Sequence, residues 1–296
     1  MDDSTRTSAP TSRTLAGGPF PSLTDLLALL GIYVVVQLAV SLILMLVLLF
    51  SGQGLDDLEP PVRARMLAIA NLVCMSVLTL LFYGYRRWRG RPVVRVGCSL
   101  RRVNLPLVGW ALLFMFALTV LIGPLLDLLP APQQNVGRGW WALLALVVVA
   151  PLFEEWICRG FLFGSLRERF GLGSSCLLSA LFFAIMHLQP ASVLNAFFMG
   201  LVLAYLYACT GSIWSPILLH AVNNLCAYLL LIAGHGEDSL YVLLGERAWL
   251  YAACYGAAAA AALFAVIGFR RTRKMQAAAT AAPTETADET LTPTDC

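Results

Sequence analysis

Six polar side chains fall inside stretches of sequence that are otherwise apolar. Glu154, Glu155 and Arg159 lie in the run that begins at Trp140 and continues to Leu166, His187 lies near the end of a second run, and His220 and Asn224 share a third. An ionisable group at membrane depth costs roughly 2.5–3.5 kcal/mol on insertion scales and by default marks a functional site. Glu155 and Arg159 are spaced i,i+4, so they share a helical face and can pair. Glu154 points about 100° away and is the freer carboxylate. This spacing separates two roles: one glutamate is structural, and the other can serve as a general base. His220 and Asn224 also share a face, as do Phe183 and His187. Carboxylate, imidazole and amide groups meeting inside a helical bundle point to hydrolysis.

The elements that must position these groups are membrane helices. Hydrophobic residues make up 59% of the chain and charged residues 12%, against about a quarter charged in soluble domains. A span needs about 20 apolar residues, and the sequence predicts an all-α, polytopic transmembrane helical bundle of about eight spans. These cover 26–50, 66–85, 106–129, 140–166, 174–189, 193–208, 213–233 and 248–269. Pro190 is expected to break the chain between the fifth and sixth. Seven arginines crowd the loop from Arg86 to Arg102, and Arg270, Arg271, Arg273 and Lys274 follow the last span. The positive-inside rule places both clusters in the cytoplasm, with both termini on the same side.

The chain divides into a disordered cytoplasmic tail (1–22), spans one to three (23–138), a core of four helices carrying the polar groups (139–235), the last span (236–274) and a second disordered tail (275–296). Six of the eight cysteines lie in apolar segments, where cysteine packs as a small hydrophobe, so no disulfide is expected. Asn71, Asn195 and Gln37 read as hydrogen bonds between helices. The phenylalanines at 161, 163, 182, 183, 197 and 198 read as core or lipid-facing surface. No glycine-rich nucleotide loop occurs, and no nucleic-acid partner is expected.

In order along the chain, E-E-x-x-x-R at Glu154–Arg159, F-x-x-x-H at Phe183–His187 and H-x-x-x-N at His220–Asn224 resemble the CAAX protease and bacteriocin-processing family (CPBP, also called Abi), which includes the type II CAAX prenyl endopeptidases. The motifs cover roughly residues 140–235. The resemblance implies a catalytic set of Glu154, His187, His220 and Asn224, supported by Glu155, Arg159 and Phe183. Glu154 and His187 would activate water, and His220 and Asn224 would steady the oxyanion, a contribution of about 3–4 kcal/mol per donor. It implies a membrane-associated or lipid-modified protein or peptide as substrate, and a bacterial plasma membrane as location. No cofactor is expected. Zinc is the candidate if a metal is used, held by Glu154, His187 and His220 with one open position.

Depth is the one mismatch in this scheme. Counted at 1.5 Å per residue, Glu154 and His220 lie about 9 and 10 Å from the cytoplasmic face, but His187 lies about 20 Å from it. Tilt, a re-entrant start to span five or a shifted boundary must close that gap. Two other function classes stay open. A proton-coupled transporter would use the same groups as a relay, and a non-catalytic scaffold or immunity protein would tolerate loss of Glu154.

Overall fold

A few capping residues decide where the helices start and stop. The computed structural model describes residues 19–130, 137–236 and 238–281, with side chains described as far as 278. Helix α1 (Leu23–Ser51) begins at a capping box, in which the Ser22 hydroxyl accepts from the Asp25 N–H and the Asp25 carboxylate accepts from the Ser22 N–H. It ends at Gly52, whose φ of 70° suits a residue without a side chain. Helix α2 (Pro60–Trp88) opens on prolines, which lack the N–H that a first turn would leave unpaired. Helix α3 (Leu105–Leu126) is capped by Asn104.

Helix α4 (Trp140–Arg167) carries two wide π-helical segments, Ala145–Val149 and Trp156–Phe163. It is followed by α5 (Leu172–Ile185), α6 (Pro190–Thr210), α7 (Trp214–Ile232), the single turn α8 (Leu240–Leu243) and α9 (Ala248–Ala281). No strand occurs among the described residues. Seven of these helices, all except α5 and α8, are long and apolar enough to cross a membrane. Together with the family evidence below, they make this an integral membrane protein with a polytopic helical bundle.

Several boundaries depart from the sequence reading. The fifth expected span is a helix of only 14 residues, because the chain turns at residues 186–189 before His187 can join it. The expected break between the fifth and sixth spans is present, but α6 starts at Pro190 rather than at 193, with the proline in its first turn. The second span starts six residues before Met66, at Pro60. The last helix continues to Ala281 and takes in part of the expected 275–296 tail. Alanine, methionine and glutamine in that stretch are strong helix formers. The remainder of that tail, residues 1–18 of the first tail and residues 131–136 of the third link lie outside the described residues. Residues 19–22 lead into the α1 cap.

The two largest apolar clusters of the core tie most of the helices together. One joins α1, α2, α4 and α5 around Phe82, Phe161, Phe182 and Phe183; the other joins α3, α6 and α7 around Leu107, Met115, Leu203 and Leu219. Of the phenylalanines expected in the core or on the lipid-facing surface, Phe161, Phe163, Phe182 and Phe183 are buried, and Phe197 and Phe198 are half-buried. Helix α9 lies along α3, where Gly268 leaves room for the Trp110 ring, whose indole N–H donates to Thr272 at 3.2 Å.

The arginine-rich segment between α2 and α3 folds back under the bundle. Buried Arg86 donates to the Pro92 carbonyl at 2.6 Å, Ser165 Oγ at 2.9 Å and Glu168 at 2.7 Å. Val94 and Val96 then lie against Gly164 and Gly160 of α4, where an added Cβ would come within 2.6 and 3.1 Å of a valine methyl. At the far end of this loop, Gly97 accepts from Ile213, Cys98 from the Trp214 indole and Ser99 from the Ser212 hydroxyl.

Candidate active site

Glu155 and Arg159 pair along α4 as their spacing predicts, with Arg159 Nη1 2.9 Å from Glu155 Oε1 and both side chains fully buried. The guanidinium does more than neutralise. Its Nη2 donates to the Gly200 carbonyl at 3.0 Å, and its carbon sits 4.5 Å from the centre of the Phe183 ring. Gly200 makes that reach possible, because a Cβ there would lie 3.0 Å from the Ala180 Cα and 3.2 Å from Phe183. Helices α5 and α6 therefore pack backbone to backbone beside the arginine.

The same Glu155 oxygen lies 2.9 Å from His220 Nδ1 on α7. A carboxylate only accepts, so Nδ1 carries the proton and the imidazole is fixed in one orientation. Its other nitrogen, Nε2, lies 3.8 Å from Glu154 Oε2, too long for a direct hydrogen bond and suited to a bridging water. The result is a line of charge running Arg159, Glu155, His220, Glu154. The first two are sealed in the core, and Glu154 is 15% exposed at the cavity.

His187 stands just beyond α5. Its Nδ1 is 2.9 Å from the Phe183 carbonyl and acts as the donor, since a carbonyl only accepts. That leaves Nε2 for the cavity. Phe183 touches both imidazoles edge to face, at 4.8 Å from His187 and 5.6 Å from His220, and so spaces the two histidines. The turn carrying His187 is held by Tyr33, whose hydroxyl donates to the Met186 carbonyl. It contains Leu188 at φ 60°, a left-handed conformation that a bulky residue adopts only at a cost of about 1–3 kcal/mol. Asn224 does not point freely at the site. Its Nδ2 donates at 2.9 Å to the Leu146 carbonyl, which belongs to the first π-helical segment of α4, leaving one amide hydrogen for other work.

The depth mismatch resolves through the ends of the helices. Helix α4 ends at Arg167, one residue past the expected 166, and thirteen residues, about 20 Å, separate Glu154 from that end; the depth of about 9 Å was an undercount, and Glu154 is level with His187. His220 is only six residues into α7, but that helix starts inside the protein, with Ser212 and Ile213 buried above the Gly97 loop.

Glu154, His187, His220 and Asn224 all line one cavity of about 430 Å³. Its walls also include Asn71, Gln189, Ser192, Asn195 and Asn223, which the sequence reading did not assign to the site. Asn71 and Asn195 were expected to tie helices together, yet they make no hydrogen bond among the described residues; Gln37 does bridge helices, accepting from the Cys74 thiol at 3.3 Å. Polar residues on helices that ring His220 were the available signal. The cavity does not gather Glu154, His187 and His220 into a three-ligand metal set; no group of three His, Cys, Asp or Glu side chains that could hold an ion occurs among the described residues.

A buried carboxylate–imidazole line thus opens into a cavity within a bundle of membrane helices. Residues 136–226 match the family of type II CAAX prenyl endopeptidase Rce1-like proteins, which supports the resemblance to the CPBP family over that segment. Among curated proteins, it is similar to "Putative membrane peptidase YdiL" of Bacillus subtilis (strain 168), at 38% identity over 77 residues, 26% of this chain and 32% of the relative. It is also similar to an "Uncharacterized 24.3 kDa protein" of Escherichia coli, at 28% identity over 158 residues, 49% of this chain and 72% of the relative. The chain thus spans about a third of the first relative's length. No solved structure matches it.

Proposed function

We propose that this chain is an intramembrane endopeptidase that hydrolyses a peptide bond in a membrane-associated or lipid-modified protein or peptide, without a metal. The observation that carries this is the line from Arg159 through Glu155 and His220 to Glu154, whose carboxylate lies at the wall of the cavity. Glu154 takes a proton from a water held between it and the imidazoles as the oxygen adds to the peptide carbonyl. The C–N bond then breaks, and the same proton passes to the leaving amine. His187 presents an unprotonated Nε2 to help hold that water. His220 and the free amide hydrogen of Asn224 face the developing oxyanion. His220 faces it through Nε2, with the ring held in place by Glu155 at Nδ1. The arginine-rich face is assigned to the cytoplasm of a bacterial plasma membrane, on the positive-inside rule and the two bacterial relatives.

The test is cleavage of a broad membrane-peptide library by the purified protein in lipid, wild type beside Glu154→Gln, with and without chelator. Loss of the general base is expected to slow cleavage by about 10²–10⁴-fold, with the wild type indifferent to chelator. Chelator sensitivity reversed by zinc would overturn the metal-free mechanism. A folded wild type that cleaves nothing would favour the scaffold.

A further inference from the structure

The two ends of the bundle differ in what they admit. Beneath the candidate active site, the end that carries the arginine-rich loop is closed by Arg86 on Ser165 and Glu168, by Val94 and Val96 on the glycine face of α4, and by Ser99 and Gly97 under the start of α7. Phe163 and Tyr207 stack edge to face in the same layer, 5.7 Å apart.

The cavity lies wholly on the other side. On α4 it is lined by Leu146, Ala150 and Glu154, on the Trp140 side of the buried Arg159; on α7 by His220 and residues later in the chain, away from the loop-bound Trp214; on α6 by residues of its first half, far from Gly211. On α2 its only contribution is Asn71, fifteen residues before Arg86. The walls are also chemically distinctive for a membrane interior. Asn71 and Asn195 carry carboxamides with no intramolecular hydrogen bond among the described residues, beside Ser192 and Asn223. Such groups suit the alternating N–H and C=O of an extended peptide and offer nothing to a hydrocarbon chain.

We propose that substrate reaches Glu154 from the end of the bundle opposite the arginine-rich loop, as a polar stretch of peptide whose main chain hydrogen-bonds to Asn71 and Asn195. This deepens the peptidase assignment and rests on it. The substrate is then a membrane protein or peptide with its scissile bond on the face that the arginines do not occupy.

Thiol labelling tests the entrance without needing catalysis. In full-length protein with Cys98, Cys209, Cys226, Cys254 and Cys296 replaced by serine, Ser192→Cys adds one thiol to the cavity wall, and Ala227→Cys serves if that variant misfolds. A companion variant keeps the exposed Cys98 as reporter of the arginine-rich face. Both are treated with a membrane-impermeant maleimide in sealed vesicles of each orientation. The reacting species is the thiolate, which forms where water reaches, so the residue-192 thiol should react at least about tenfold faster from the face opposite Cys98. Labelling of both thiols from the same face, or no labelling of the cavity thiol from either, overturns the proposal. An active enzyme labelled from the wrong face would sink the entrance alone, whereas opposite-face labelling in a protein that cleaves nothing would sink the peptidase assignment alone.

Discussion

Both partners of Glu155 converge on a single oxygen, Oε1, while Oε2 is buried with no hydrogen bond among the described residues. Neighbouring glutamates should therefore fail in opposite ways. Glu155→Ala strands a fully buried Arg159, and an uncompensated charge of this kind costs about 3–5 kcal/mol. Its thermal midpoint in detergent should fall sharply, with cleavage lost as a by-product. Glu154→Gln sits at the cavity and should keep the wild-type midpoint while cleavage collapses. Equal midpoints for the two variants would contradict the split. The pairing of Glu155 with Arg159 was legible because four residues is one helical turn. Its contact with His220 was not, because that partner lies 65 positions away on another helix. Asn224 was found by its motif but misread in part, since its Leu146 acceptor depends on a π-helical turn that has no sequence signature.

The helices place these residues through close approach more than through any special length. Gly200 lets α6 touch α5 and offers its carbonyl to Arg159. Gly200→Val would push the two helices apart and withdraw that acceptor, at a cost of about 1–3 kcal/mol for overpacking. A drop in thermal midpoint together with a larger drop in turnover is expected, and an unchanged midpoint would show that the contact gives way cheaply. At this scale the sequence located the apolar segments well, because hydropathy reports burial in lipid directly. It misplaced ends: α2 starts at Pro60 rather than at 66, and α6 at Pro190 rather than at 193, in both cases with proline in the first turn. It could not show the wide turns of α4 or the strained Leu188, both products of tertiary packing.

For the molecule as a whole, Arg86 is the fastening of the arginine-rich face. Arg86→Ala should free the loop that follows, and trypsin should then cut after Arg91 or Arg95 much faster than in wild type, in a bundle that otherwise stays folded. Equal digestion rates would mean that the valine contacts hold the loop unaided. The shortness of α5 reaches further. Fourteen residues rise about 21 Å, against a hydrocarbon layer of about 30 Å, and Leu177 and Leu181 turn outward on that helix. Lipid beside α5 must thin to meet it, bringing the water boundary down towards His187, at a cost of a fraction of a kcal/mol for each ångström of mismatch. Cleavage should therefore be faster in vesicles of short-chain phospholipids than in those of long-chain ones. The protein would act as a gauge of membrane thickness as well as a peptidase, most active where the bilayer is already thin.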